Sequence, residues 1–193
     1  EEKVVDLDKD HFYDSGSVNV DGSVLKCWKA GGHGDQTFLQ VLQNSCNPGF
    51  VKIGQMLGKE RLFSYIDKFG FGEKTGIDLN GEGQGIIFPL DKVGNVELST
   101  TAFGQGVSVT PIQQVTAVSA VVNGGYLYKP YIVKNISEGE VNTIVKENKK
   151  TLVRKVISSE TSQIMRRALE SVVAKGGGKS AYIEGYRIGG KTG

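Results

Sequence analysis

The chain has 193 residues, 38% of them hydrophobic and 23% charged, which is enough apolar material for one compact domain or most of a larger one and excludes a disordered chain. Its 23 basic residues nearly balance 21 acidic ones and are scattered along the chain, which argues against a nucleic-acid surface. No window reaches the roughly 18 continuous apolar residues of a membrane span, and Glu1-Glu2-Lys3 lacks the apolar core of a signal peptide, although an anchor preceding residue 1 remains compatible with this.

In chain order, the alternation of Val18, Val20, Val24 and Leu25 around Asp21-Gly22 predicts a hairpin with a type I′ turn. After the loop Gly31-Gly32-His33-Gly34, Asp35 or Thr37 can cap a helix that buries Phe38, Val41 and Leu42 and stops near Ser45. Asn47-Pro48 predicts a fresh helix start, with Asn as the cap and Phe50, Ile53 and Leu57 inward. A third helix carries Leu62, Tyr65, Ile66 and Phe69 and ends at Gly70; residues 72–85 read as a polar, Gly-rich loop. Pro111 opens a helix with Val115, Val118, Val121 and Val122 inward. Residues 126–157 alternate apolar and charged, as antiparallel strands do, with turns at Glu138-Gly139 and Asn148. Ser158 or Ser159 caps a helix through Ile164, Met165, Leu169 and Val172 that ends at Gly176-Gly177-Gly178, and Tyr182 to Gly193 reads as a strand.

Two short motifs carry chemistry, Ser45-Cys46-Asn47 and Lys191-Thr192-Gly193. Each alone is weak, because Ser and Asn favour helix ends and Lys-Thr-Gly is common at strand ends. In this order they match two of the three signatures of serine acyltransferases of the penicillin-binding and β-lactamase type. The blocks Gly32-His33-Gly34, Asn44 to Pro48, Lys74 to Leu79, Gly104-Gln105-Gly106, Thr110-Pro111 and Gly189 to Gly193 resemble class B penicillin-binding proteins over nearly the whole chain. The sporulation-specific cortex branch is the most similar, with elongation and division enzymes as near relatives.

The resemblance implies an α/β (α+β) fold of the penicillin-binding transpeptidase and serine β-lactamase type, a helical subdomain plus an antiparallel sheet. The chain would be the C-terminal part of one transpeptidase domain, incomplete at both ends. Residues from about 30 to 125 would hold the Ser-x-Asn loop, and 126 to 193 the sheet side, with the cleft between them. The implied activity is peptidoglycan D,D-transpeptidation through a serine acyl-enzyme that β-lactams trap, with the nucleophile outside this segment, which alone would be inactive. By the same resemblance Ser45 relays a proton, Asn47 orients the donor, Lys191 and Thr192 meet the substrate carboxylate, and Gly193 and Cys46 line the substrate. Implied partners are the wall stem peptide, β-lactams, the rest of its own domain and a membrane glycosyltransferase; the location is the outer face of the cytoplasmic or forespore outer membrane. The rivals are a non-catalytic penicillin-recognising sensor module and a serine β-lactamase.

Two sequence decoys are set aside. Ser23-Val24-Leu25-Lys26 fits the nucleophile pattern Ser-x-x-Lys but sits in an alternating strand, where Ser and Lys face opposite ways. Lys74-Thr75-Gly76 lies in a loop between helices.

No cofactor is required for acylation, yet Cys27, His33 and Cys46 with Asp14 make a ligand set suited to tetrahedral zinc, His11 being the alternative fourth ligand. Two buried free thiols, or one Cys27 to Cys46 disulfide, are the other outcomes the spacing allows.

Overall fold

The computed structural model describes residues 1–139 and 143–192. They divide into two compact units: Glu1–Ser64, Phe88–Val107 and the chain from Gln163 onward form one, and Tyr65–Ile87 with Ser108–Ser162 form the other.

The first unit opens with strand β1 (His11–Asp14), hairpin strands β2 (Ser17–Val20) and β3 (Ser23–Lys26), and β4 (Gly34–Thr37). β1 pairs antiparallel with β4, placing Asp14 opposite Gly34, and β2 pairs with β3. Asp21 and Gly22 have φ of 48° and 85°, both left-handed as a type I′ turn requires. Ser23 and Lys26 are three apart in β3 and so lie on opposite faces.

Helix α1 (Phe38–Gln43) is capped by Thr37 and not by Asp35: the Thr37 hydroxyl accepts from Gln40 N–H at 3.3 Å and the Gln40 side chain accepts from Thr37 N–H at 2.8 Å. Its Phe38 and Val41 pack with Cys27 and Cys46 in the core, supported by Val5, Leu7 and Phe12. Helix α2 (Asn47–Leu57) starts one residue earlier than the Asn-cap pattern predicts, so Cys46 is the cap and the Asn47 amide is released to donate to the Lys26 carbonyl at 3.1 Å. Its buried face is Pro48, Gly49, Val51 and Gly54, with Phe50, Ile53 and Leu57 only half-buried. The rotation follows from helix α4 (Asn95–Ala102), which the sequence had not announced: the glycine face lets α4 approach until a Cβ on Gly54 would lie 2.5 Å from the Ala102 Cβ.

Helix α6 (Ser159–Lys175) buries Ala168, Val172 and Val173. The strand expected from Tyr182 is absent among the described residues. The segment after a short 3-10 turn at Lys179–Ala181 is irregular. Among the described residues no strand pairs with it, and its backbone leans on α6, Gly190 N–H donating to the Leu169 carbonyl at 3.2 Å.

The second unit takes in the end of helix α3 (Lys59–Lys68), which stops at Gly70 (φ 80°), helix α5 (Pro111–Val122), and strands β5 (Tyr126–Tyr128), β6 (Asn135–Glu138), β7 (Thr143–Glu147) and β8 (Leu152–Lys155). β5 pairs with β8 and β6 with β7, all antiparallel. The core is Ala120, Leu127, Val156 and Ile157, joined by Tyr65 and Phe69. α5 does not turn its valines inward: Gln113, Ala117 and Ala120 are buried while Val115 is 61% exposed. Small alanines allow close approach, and the buried Gln113 amide donates to the Glu73 and Gln84 carbonyls at 2.6 and 3.0 Å, stitching both ends of the Gly-rich loop to the helix. Within that loop Thr75 and Gly76 donate to the Glu82 carboxylate, so Lys74-Thr75-Gly76 is a loop anchor.

Because α2 and α4 meet at a glycine, Gly54→Val overpacks the contact and is expected to cost about 1–3 kcal/mol. Ala102→Gly in the same chain should recover part of that loss. Urea midpoints of the complete protein and its single and double variants measure both.

Candidate active site

Ser45 is the hinge between α1 and α2. Its φ of 51° is left-handed, a conformation a non-glycine residue adopts only where neighbours enforce it. Those neighbours are backbone hydrogen bonds: Asn44 N–H to the Gln40 carbonyl at 2.8 Å and Cys46 N–H to the Val41 carbonyl at 3.0 Å. The reversal sends successive side chains opposite ways. Ser45 and Asn47 line a groove, while Cys46 is 0% exposed with its sulfur in the core. The expectation that Cys46 touches substrate is therefore corrected: the left-handed turn points its thiol inward.

Lys191 meets Ser45 across the groove, its ammonium donating to the Ser45 hydroxyl at 2.7 Å, to the Thr192 carbonyl at 2.7 Å and to the Thr192 hydroxyl at 3.3 Å. Partial removal of this ammonium from water pulls its pKa below the ordinary lysine value. Gly193, expected to line substrate, lies outside the described residues. The groove has a volume of about 990 Å³, and its described lining includes Lys175 and Lys191 but no Asp or Glu, so its field favours an anion.

One helix sets the span of this groove. At the end of α6, Gly177 N–H donates to the Gln43 carbonyl at 3.0 Å, and a Cβ on Gly176 would stand 2.5 Å from the same oxygen. About two turns earlier on α6, the Leu169 carbonyl receives Gly190 N–H. Both walls, the one bearing Ser45 and the one bearing Lys191, thus rest on the same rigid element. The glycine triplet reads in the sequence only as a helix stop; no local pattern shows that it grips Gln43.

Behind Ser45 lies a second constellation. Asp14, Cys27, His33 and Cys46 bring their ligand atoms within 4.8 Å of one another. Asp14 is fully buried; its Oδ2 lies 2.9 Å from His33 Nδ1, 2.9 Å from the His33 backbone nitrogen and 3.3 Å from Cys46 Sγ, and Oδ1 accepts from Gly16 N–H at 2.8 Å. Cys27 Sγ is 3.3 Å from His33 Nδ1. Burial pushes the Asp14 carboxyl up, but the Cys27 thiol, the Gly16 N–H and both His33 donors outweigh it and hold the group well below the usual carboxylate range. Burial, with the Asp14 charge beside it, raises the Cys27 thiol and pushes Cys46 up to about 12. Gly32 (φ 77°) is required here, since a Cβ would strike the Asp14 carbonyl. His11 is elsewhere, paired with Asp35 at 2.9 Å on the surface, so the alternative fourth ligand is ruled out by β1 carrying its residues His11 and Asp14 to opposite ends of the pairing with β4. Gln36, 2% exposed, accepts from the Asn44 amide at 2.9 Å, while its own amide nitrogen has no hydrogen-bond partner among the described residues. The Gln36 side chain works against the burial that raises the Cys46 thiol.

Comparison with known proteins returned one family over the full length: the penicillin binding protein transpeptidase domain matches residues 1–193. Stage V sporulation protein D of Bacillus subtilis is 63% identical over 193 residues, covering all of this chain and 30% of that protein. Penicillin-binding protein PbpB of Mycolicibacterium smegmatis is 34% identical over 188 residues, covering 92% of this chain and 28% of that protein. Among solved structures, penicillin binding protein 3 from Mycobacterium tuberculosis complexed with aztreonam superposes with a TM-score of 0.85 at 28% identity, over 94% of this chain and 42% of that one. The chain spans less than a third of the length of these two curated relatives.

Removing the buried carboxylate on which these donors converge should be costly. Asp14→Ala is expected to destabilise the complete protein by about 3 kcal/mol, against about 0.5 kcal/mol for Asp35→Ala at the exposed pair with His11. Denaturant titration of the two variants side by side checks the contrast.

Proposed function

The chain belongs to the penicillin-binding protein transpeptidase family, and from that premise we propose that its groove binds the acyl donor of a peptidoglycan D,D-transpeptidase. The contact between Lys191 and Ser45 carries the proposal: 2.7 Å apart, they join an ammonium to a hydroxyl in a groove whose described lining holds no acid. That suits a peptide ending in a carboxylate, and the β-lactams that imitate it.

The donor's terminal carboxylate would lie against the Lys191 ammonium and the Thr192 hydroxyl. A serine oxygen attacks the carbonyl of the penultimate D-Ala; the new bond joins that oxygen to the carbonyl carbon, and the bond to the nitrogen of the terminal D-Ala breaks. The leaving nitrogen needs a proton. Because Lys191 donates to the Ser45 oxygen, Ser45 can hand its own hydroxyl proton to that nitrogen while taking one from the Lys191 ammonium, and the proton that the attacking serine gives up to a base outside these residues would return to Lys191. Asn47 has one amide hydrogen bond to the Lys26 carbonyl, which fixes its carboxamide where the donor backbone can meet it. An amine of a second stem then takes the acyl group.

The attacking serine would come from a part of the protein outside these 193 residues, so the segment alone should not acylate. Supporting this, Ser23 and Lys26 occupy opposite faces of β3, and Lys26 cannot take a proton from Ser23 there. Both units would belong to one transpeptidase domain. The 63% identity to a stage V sporulation protein favours a role in the spore wall over elongation or division. The complete enzyme would work at the outer face of a membrane, held by an anchor elsewhere in the protein, beside a glycosyltransferase that supplies the strands.

Acylation itself needs no cofactor, but Asp14, Cys27, His33 and Cys46 fit a structural zinc. The donor set is two soft thiolates, one imidazole and one carboxylate, with their ligand atoms within 4.8 Å of one another. A bound zinc would supply charge to hold both thiols deprotonated and would take no part in acyl transfer. These residues would pin the Ser45 turn from behind, since Cys46 follows Ser45 directly.

Labelling of the complete protein by a fluorescent penicillin tests the site: Ser45→Ala and Lys191→Ala should each slow it about a hundredfold, and labelling at full rate in both would sink the assignment. Lys191 acts as a cation with a lowered pKa, so labelling should decline on the alkaline side with an apparent pKa below 10.5, and Lys191→Arg should move that limb to higher pH. Metal analysis should find about one zinc per chain, lost in Cys46→Ser; no zinc, or a mass two protons light, removes the metal proposal.

A further inference from the structure

Trp28 is 66% exposed, yet it is held at two points. Its indole N–H donates to the Asn44 carbonyl at 2.8 Å, and its ring meets His33 edge-on with centroids 5.3 Å apart. It also lines the groove with Ser45 and Lys191. A tryptophan this exposed gains little from burial, so packing alone does not account for its fixed pose.

The acceptor is informative. Asn44 is the last residue before Ser45, at the C-terminal end of α1, where helix carbonyls lack intrahelical partners. The indole N–H takes that carbonyl and thereby fixes the plane of the peptide joining Asn44 to Ser45. Ser45 stands at φ 51°, and the cheapest relaxation of a left-handed serine is rotation about the bonds flanking that same peptide. Such a rotation would carry the Ser45 hydroxyl away from Lys191. The other edge of that peptide is held as well, the Ser45 N–H donating to the Leu42 carbonyl at 3.2 Å, so the indole closes the remaining edge.

We propose that Trp28 is a positioning residue for Ser45, its indole N–H locking the Asn44 carbonyl so that the serine hydroxyl stays aimed at Lys191 in the groove. This rests on the acyl-donor role assigned to Ser45 above. The predicted effect falls on the chemical step, because the lock sets where a proton is delivered and not how the donor is held.

The test uses the complete protein with a chromogenic β-lactam, separating the dissociation constant of the reversible complex from the acylation rate that follows it. Trp28→Phe keeps an aromatic ring but has no N–H to donate. Its acylation rate should fall about fivefold, a typical loss for one hydrogen bond, with the dissociation constant and Tm unchanged. Trp28→Phe acylating at the wild-type rate overturns the inference. So does a weaker reversible complex with an unchanged acylation rate, or a loss that follows a fall in Tm, since either would make Trp28 a contact or a packing residue. Ser45→Ala is run alongside: if it acylates normally, the role of Ser45 fails and this inference with it, whereas a slow Ser45→Ala beside a normal Trp28→Phe defeats the Trp28 inference alone.

Discussion

The left-handed backbone of Ser45 is the constraint on which the rest of this site depends. One residue at φ 51° ends α1, starts α2, and sends three consecutive side chains alternately to groove, core and groove. Its cost is met by what lies on either side. The inward Cys46 joins a buried cluster around Asp14, and the outward Ser45 meets a lysine. If the backbone relaxed to a right-handed conformation, Cys46 would leave the cluster and Ser45 would leave Lys191, so the two constellations are mechanically one.

The groove needs a second constraint, since a turn fixes directions but not a distance. That distance comes from α6. Glycines without side chains bring its C-terminal end onto the Gln43 backbone, and its Leu169 carbonyl receives Gly190 on the other wall. The walls belong to remote parts of the sequence, but each is referred to the same helix. A rigid reference of this kind suits acyl transfer, where small misplacements of a proton donor cost much of the rate.

The other unit shows what a sequence block looks like when it serves architecture. Asp78 accepts from the Ile132 and Val133 N–H groups at 2.8 and 2.9 Å, which lowers its pKa, and Glu82 does the same for Thr75 and Gly76. These carboxylates are spent on backbone donors of irregular segments. The Lys-Thr-Gly triplet at residue 74 therefore has the letters of the groove motif without its neighbourhood.

Local chemistry was legible in the residues themselves. The Asp21-Gly22 hairpin, the Thr37 cap, the Pro111 start and the glycine stops depend on dihedral preferences and short-range hydrogen bonds, and these act within a few residues. The pairing of Ser45 with Lys191, and of Cys27 and His33 with Cys46 and Asp14, was readable only as motifs, since residues so far apart in the chain meet through packing. Tertiary structure alone decided which way the ambiguous faces turned. α5 shows alanines and Gln113 to the core because the Gly-rich loop needed the amide, α2 turns its glycines to α4, Cys46 faces inward, and the segment after Tyr182 lies on α6 without forming a strand. In each case the deciding partner is distant in sequence, and a periodic pattern carries no record of it.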